Sequence, residues 1–156
     1  MKKISLICLA LIASCNDVNI KNTDTVQKIK IDYYSSKETK ELDFPFSDAT
    51  IVNNIIYVAG QVGNLPGTNK VVEGGIRAET RQTMKNIENI LKEAGLIFDN
   101  VVRTKIYLTN MDDFSAVNRV YGSYFKSNPP ARTTIEVSGL PLGVNVEIDM
   151  IAVFSD

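Results

Sequence analysis

Arg132 and Glu147 are the two residues whose types and surroundings best suit catalysis on a small anionic substrate. Arg132 lies in the run Pro-Ala-Arg-Thr-Thr-Ile-Glu-Val at residues 130–137, and Glu147 lies in Val-Glu-Ile-Asp at residues 146–149. The planar guanidinium of arginine can bind both oxygens of a carboxylate at once. A nearby carboxylate can orient a water molecule or pass a proton. The pair therefore predicts a small hydrolytic site for an anionic substrate.

Both runs have the pattern of β-strands, in which residues i and i+2 project from the same face. Arg132 would share a face with Thr134 and Glu136, and Glu147 would share one with Asp149. The opposite face of the last run is apolar and comprises Val144, Val146, Ile148 and Met150. The same pattern also fits a surface salt bridge between Arg132 and Glu147 on two neighbouring strands, so this alternative stays open.

The composition excludes several kinds of site. The chain has 156 residues, a size typical of one domain, and a formal net charge of −1. Without a basic excess it is not predicted to bind nucleic acid. It has no histidine, which excludes Ser-His-Asp and Cys-His nucleophile systems and any histidine-ligated metal. Both cysteines, Cys8 and Cys15, lie within the first fifteen residues, so the remaining chain offers no thiolate. No metal is predicted.

The N-terminus has the features of an export signal. Two lysines precede an apolar stretch at residues 4–13, which is too short for a transmembrane helix and ends at Ala-Ser-Cys. This arrangement resembles a bacterial lipoprotein signal, so residues 1–14 are expected to be removed and Cys15 to carry a lipid. Residues 15–28 would be a polar tether, and residues 29–156 the folded domain. The chain would then be lipid-anchored to a bacterial membrane on the extracytoplasmic side. The alternatives are a buried first helix, a plain cleaved signal, or a cytoplasmic location.

The order of elements after the tether predicts an α+β fold, a two-layer mixed β-sheet with two helices on one face. The pattern indicates an edge strand at 29–33, a hairpin at 50–58 turning at Asn53-Asn54, a helix at 75–94 stopped by Gly95, and a strand at 101–108. The apolar face of that strand is predicted to be Val102, Thr104, Ile106 and Leu108. A second helix follows Asn110, with an apolar side from Phe114 to Phe125, and the two strands described above close the chain.

Several motifs in order resemble the RidA family, also called the YjgF family, over residues 42–153. The family's closing pattern is Pro-Ala-Arg, then Leu-Pro, then a glutamate on the last strand, which corresponds here to Arg132, Leu140-Pro141 and Glu147. The sequence Ile-Tyr-Val-Ala-Gly-Gln at 56–61 resembles the family's strand ending in Gly-Gln. Further matches are Gln-Thr-Met-Lys-Asn at 82–86 and Asp-Phe-Ser-Ala-Val-Asn at 113–118.

The resemblance implies a fold like that of trimeric chorismate mutase and a homotrimer with three pockets at the subunit interfaces. It also implies hydrolysis of reactive enamine and imine intermediates, such as 2-aminoacrylate, to 2-oxo acids and ammonia without a cofactor. Arg132 matches the residue that binds the substrate carboxylate, and Glu147 the residue that orients water. Gly60 and Asn118 match pocket residues, although they are equally well explained as a strand-end glycine and a surface helix residue.

Phe46 departs from the family pattern. The family's Gly-Pro-Tyr-Ser segment corresponds here to Phe44-Pro45-Phe46-Ser47, so a phenylalanine replaces the site tyrosine. Phe46 can pack over a ligand but cannot form a hydrogen bond, and one lost contact of this kind costs about 1 kcal/mol. Ser47 is a partial substitute with a shorter reach.

Two alternative functions follow from the same resemblance. The first is a non-catalytic trimer that binds small carboxylates, which Phe46 and the predicted export favour. The second is an RNA-cleaving or translation-inhibiting protein, a role attributed to some relatives. The absence of histidine and of a basic stripe places this role last.

Overall fold

The computed structural model describes residues 28–155, and these residues form one mixed β-sheet with helices against it. The strands are β1 (Ile31–Tyr34), β2 (Ala49–Val52), β3 (Ile55–Val62), β4 (Val101–Leu108), β5 (Ala131–Glu136) and β6 (Val146–Val153). The helices are α1 (Lys37–Glu41), α2 (Gly75–Glu93) and α3 (Phe114–Gly122). The sheet order is β1-β2-β3-β6-β4-β5, with β4 and β5 parallel and the other neighbours antiparallel. The predicted α+β architecture is confirmed.

Local sequence accounts for the main turns. Asn53 adopts φ +54° between β2 and β3, as a tight hairpin requires, and Gly95 adopts φ +76° just after α2. Glycine has no Cβ to clash in that left-handed region, so it ends the helix without strain. The hairpin at Asn53-Asn54 and the helix stop at Gly95 were both predicted, and both are confirmed.

The hydrophobic core lies between the sheet and the helices α2 and α3. Met84, Ile87 and Leu91 of α2 are fully buried, as are alternate residues of β6 such as Val146 and Ile148. This alternation confirms the apolar face predicted for the last run. It also means that the residues between them, including Glu147, project from the other side of the sheet.

That other side has no helix over it within the described residues, and it presents several large apolar side chains. Tyr33 of β1, Tyr57 of β3 and Ile135 of β5 are 71%, 44% and 43% exposed. Their register partners Thr50, Ile151 and Tyr107 share this side. We call it the open face. Separately, none of the helices within residues 28–155 has the length and hydropathy that crossing a bilayer requires.

Two sequence-based predictions were wrong in detail. Val102 was expected in the apolar face of β4, but it is 46% exposed because the β4–β6 register shifts between Val101 and Arg103. A bulge of this kind reverses the alternation before it, so Val101 is the buried residue. The second helix was expected to continue to Phe125, but α3 ends at Gly122. The predictions for the signal at 1–14, for Cys15 and for the tether up to residue 27 lie outside the described residues.

Candidate active site

Arg132 lies on the edge strand β5 and points to the helix side of the sheet. Its register partner on β4 is Thr104, which is fully buried. The guanidinium carbon lies 4.9 Å from the ring centre of Tyr121 and 5.6 Å from that of Phe114, both on α3. The Tyr121 hydroxyl donates to Thr104 Oγ1 at 3.1 Å, which fixes the ring. Two cation–π contacts therefore hold the half-buried guanidinium against α3.

Asn118 lies on the same stripe of α3. It follows Phe114 by four residues and precedes Tyr121 by three, and residues at these spacings share one side of a helix. Its side chain is half-buried. The structure thus brings Asn118 and Arg132 to the same edge of the molecule. We call Arg132, Phe114, Asn118 and Tyr121 the arginine group.

Glu147 lies on β6 and projects from the open face. Its register partners are Val62 of β3 and Tyr107 of β4. Burial raises the pKa of the Glu147 carboxyl above its ordinary value, and the negative charge of Asp149, two residues along the same face, adds to the rise. A carboxylate with a raised pKa is a stronger base at neutral pH, which suits proton transfer from a water molecule.

Gly60 on β3 lies directly beside this carboxylate. A Cβ built on Gly60 would overlap Glu147 Oε1 and would come within 2.9 Å of the carboxyl carbon. Only a residue without a side chain leaves room for Glu147 in this position. The structure therefore places these two predicted site residues in contact.

Ser47 and Phe46 precede β2 and approach the same end of the sheet. The β2–β3 ladder runs to the pair Ala49–Val58, and the N–H of Ala59 extends it by donating to the carbonyl oxygen of Asp48 at 2.9 Å. Ser47 is the residue before Asp48, where this hydrogen bond ends. Phe46 is 53% exposed and its ring stacks on Phe44, with ring centres 5.1 Å apart. We call Glu147, Gly60 and Ser47 the glutamate group.

The two groups do not meet within one chain. Strand β4 lies between β5 and β6, and Arg132 and Glu147 project from opposite faces of the sheet. They form no ion pair, so the alternative of a surface salt bridge between neighbouring strands is wrong. Each chain presents one half of the predicted site on each side of its sheet.

Sequence reasoning missed the residues that support the two charged groups. Tyr121 is the nearer of the two rings that contact Arg132. The hydroxyl of Tyr107 donates to Asp149 Oδ2 at 2.9 Å beside Glu147. The shared face of Glu147 and Asp149 follows from their spacing, but the approach of Tyr107 depends on the β4–β6 register. Among residues 28–155, no cluster of acidic side chains could hold a metal ion.

The comparisons with known proteins agree with the sequence motifs. The family model described as Endoribonuclease L-PSP matches residues 38–154. The chain is 44% identical to the 2-iminobutanoate/2-iminopropanoate deaminase of Homo sapiens over 109 residues, which are 70% of this chain and 80% of that protein. It is 47% identical to the protein of the same name from Capra hircus, with the same coverage.

Solved structures show the same fold. The structure of a Rid-family protein of unknown function, YyfA from Yersinia pestis, has a TM-score of 0.75 and 40% identity, covering 80% of this chain and all of that one. The structure of E. coli TdcF with bound serine has a TM-score of 0.68 and 26% identity, covering 72% and 90%.

Proposed function

Because the chain belongs to the RidA family, we propose that it is a deaminase that hydrolyses reactive 2-imino acids and their enamine tautomers to 2-oxo acids and ammonia. The observation that carries the proposal is the 44% identity to a named 2-iminobutanoate/2-iminopropanoate deaminase over most of both chains. The sequence motifs around Arg132 and Glu147, which resemble those of the family, support it. The reaction needs no cofactor, because an imine carbon is already electrophilic. The site has to bind the substrate and place a water molecule.

Arg132 binds the substrate carboxylate through its two parallel N–H donors. Its contacts with Tyr121 and Phe114 support this role, since a guanidinium already oriented by aromatic rings loses less conformational freedom on binding. Asn118, on the same stripe of α3, adds a polar contact to the bound substrate. A lysine could not reproduce this planar, two-pronged geometry.

Glu147 orients the water that attacks C2 of the imine. The water oxygen bonds to C2, and Glu147 takes one of its protons and passes it to the imine nitrogen, which gives a carbinolamine. The hydroxyl proton then follows the same route to nitrogen. The C2–N bond breaks, ammonia leaves, and the oxygen becomes the keto group. The raised pKa of Glu147 supports this exchange, because it makes the carboxylate a stronger proton acceptor.

The complete site forms between two copies of the chain in a homotrimer. The placement of the two groups on opposite faces of one sheet supports this assembly, because one copy cannot bring Arg132 to its own Glu147. The apolar side chains of the open face, Tyr33, Tyr57 and Ile135, also require cover. In the trimer, Arg132 of one copy meets Glu147, Gly60 and Ser47 of its neighbour, and Phe46 borders the same pocket.

A second candidate function is a trimer that binds small carboxylates without catalysis. Phe46 favours it, because the ring removes the hydroxyl that the family tyrosine supplies. The solved structure of TdcF with bound serine is of a relative that holds a small amino acid. Because the chain has both Arg132 and Glu147, we rank catalysis above binding alone.

An imine hydrolysis assay separates the two functions. An amino acid oxidase generates 2-iminopropanoate or 2-iminobutanoate in place, and the purified chain is added without metal or cofactor. The proposal predicts decay faster than the spontaneous reaction, with Glu147→Gln abolishing the acceleration. Saturable binding of the carboxylate without any acceleration, for several imino acids, would establish the binding function instead.

We further propose that Cys15 is lipidated and anchors the domain to the extracytoplasmic side of a bacterial membrane. The support is the dilysine, the short apolar stretch and the Ala-Ser-Cys boundary. Labelling with a fatty-acid analogue should mark the wild type and the Cys8→Ala control but not Cys15→Ala. Recovery of unlabelled protein that still begins at Met1 would point to a cytoplasmic protein.

A further inference from the structure

Glu79 is a buried carboxylate on the side of α2 that faces the sheet. It is 4% exposed, and it accepts two short hydrogen bonds from Asn145. The backbone N–H of Asn145 donates to Oε2 at 2.6 Å, and its side-chain amide donates to Oε1 at 2.7 Å. Each carboxylate oxygen thus has its own donor, which is the condition under which a buried charge can be tolerated.

Asn145 links this helix to two strands. The backbone N–H of Thr109, which follows β4, donates to the carbonyl oxygen of Asn145 at 3.2 Å. The Thr109 hydroxyl lies 3.3 Å from Asn145 Oδ1 and donates to it. All four polar groups of Asn145 are therefore engaged, one residue before β6 begins and two residues before Glu147. These four hydrogen bonds fix the position of the backbone where β6 begins.

The same helix also fixes the strand on the other side of Glu147. The side-chain amide of Asn86 donates to the carbonyl oxygens of Val62 and Asn64, each at 3.0 Å. A Cβ on Gly63 would lie only 2.7 Å from Glu79 Cα, so β3 ends directly against α2. Val62 is the register partner of Glu147. Helix α2 therefore holds both backbone segments that determine where the Glu147 carboxylate lies.

We propose that Glu79 is a positioning residue for catalysis: its carboxylate fixes Asn145, and through it the start of β6, so that Glu147 lies at the distance from the substrate that the attacking water requires. This inference rests on the proposed deaminase function. Glutamine at position 79 has nearly the same shape but only one oxygen, so it leaves one Asn145 donor facing an amide N–H₂ group. Small displacements of a reacting group lower the rate steeply, while binding of the substrate carboxylate at Arg132 is unaffected.

The test compares Glu79→Gln with the wild type and with Glu88→Gln. Glu88 lies on the same helix, but its carboxylate forms a surface ion pair with Lys92 at 3.0 Å. For Glu79→Gln we expect kcat per folded trimer to fall about 10- to 100-fold, with KM changed by less than about twofold. The acid limb of the pH profile should also shift, because displaced Glu147 is hydrated differently. Glu88→Gln should match the wild type in all three measurements. An unchanged kcat per folded trimer and an unchanged acid limb for Glu79→Gln would overturn the inference, even if thermal stability fell.

Asn145→Ala provides the second variant in case Glu79→Gln does not fold. It removes the side-chain hydrogen bond to Glu79 and the one from the Thr109 hydroxyl, and it keeps the Glu79 charge bound by the backbone N–H. It should lower kcat in the same direction, and the double variant should lose less than the product of the two single effects, because both remove one interaction. Independent effects that multiply in the double variant would contradict the inference.

Hydrogen exchange at the backbone amides of residues 145–148 is the readout that does not depend on the reaction. Faster exchange in Glu79→Gln than in Glu88→Gln supports the positioning role even if the wild type hydrolyses no imine, in which case only the proposed function fails. Equal protection in the two variants would refute the role of Glu79 directly.

Discussion

The carboxylate of Glu147 lies in the volume that a side chain at Gly60 would occupy. The two residues come from adjacent strands, β3 and β6, and the register near them shifts between Val58 and Gln61. Gly60 is required here for close approach and not for an unusual backbone angle, since it is absent from the glycines with positive φ. The absence of a side chain on one strand thus determines where the carboxylate on the next strand can point.

Gly60→Ala should therefore damage catalysis by pushing Glu147 out of position. We expect kcat to fall by about tenfold or more, with KM little changed, because the substitution moves the carboxylate that places the water and leaves the guanidinium that binds the substrate unaltered. The matched control is Gly122→Ala, where an added Cβ meets nothing within 4 Å. Steady-state kinetics on both variants make the comparison. A Gly60→Ala enzyme as active as the Gly122→Ala control would show that Glu147 does not need this position.

Arg132→Ala should lower kcat/KM by roughly 10- to 150-fold, because a charge-assisted, two-pronged contact to a carboxylate contributes about 1.5–3 kcal/mol. Arg132→Lys should recover little of the loss, since a point charge cannot replace the planar fork. Both variants should fold, because even Arg132→Ala loses only two cation–π contacts worth about 0.5–1 kcal/mol each. Activity is compared with the melting temperature of each variant. If Arg132→Ala melts the assembly but keeps full activity per folded molecule, the arginine is structural.

Phe46→Tyr should raise activity, by about fivefold if the new hydroxyl reaches the substrate or its water, since one such contact is worth about 1 kcal/mol. Phe44→Tyr is the matched control, because its ring stacks on that of Phe46 and is similarly exposed. Only the change at position 46 should improve kcat/KM. Equal effects of the two substitutions would mean that Phe46 does not border the pocket.

Asp149→Asn should shift the acid limb of the pH–rate profile to lower pH. Glu147 must be deprotonated to accept a proton, so activity falls below its pKa, which burial and the charge of Asp149 both raise. Removing that charge removes one cause of the rise and lowers the pKa. Asparagine keeps an oxygen for the Tyr107 hydroxyl, and Lys105, the register partner of Asp149, is unchanged. The control Glu73→Gln, on an exposed loop, should leave the limb in place. If the acid limb of the pH–rate profile stays in place or moves to higher pH in Asp149→Asn, the assignment of Glu147 as the base is contradicted.

The sequence predicted the elements well where their signals are local. The helical period before Gly95 and the alternation around Glu147 each depend on neighbouring residues, and the structure reproduces both. Ser36 is a further local signal: its hydroxyl accepts from the N–H of Thr39 and caps the short helix α1.

Non-local features could not be predicted in the same way. The bulge that exposes Val102 depends on how β4 pairs with β6, and the separation of Arg132 from Glu147 depends on β4 lying between β5 and β6. Strand order is set by contacts between residues that are distant in sequence. The sequence pattern alone therefore could not exclude a salt bridge between Arg132 and Glu147. Glu79 could have been noticed, because a carboxylate on the inner face of an amphipathic helix needs a partner; the identity of that partner, Asn145, required the fold.

In the proposed trimer, a complete site joins Arg132 of one copy to Glu147 of its neighbour. It is tested most directly by mixing two impaired variants, Arg132→Ala and Glu147→Gln, in equal amounts and letting them reassemble from the unfolded state. In randomly mixed trimers about one site in four receives an intact arginine from one chain and an intact glutamate from the next, so about a quarter of wild-type activity should return. Each variant reassembled alone should show only its own low activity. If size-exclusion chromatography and mass spectrometry show mixed trimers and their activity does not exceed that of the separately reassembled variants, the two residues do not form one site across the interface.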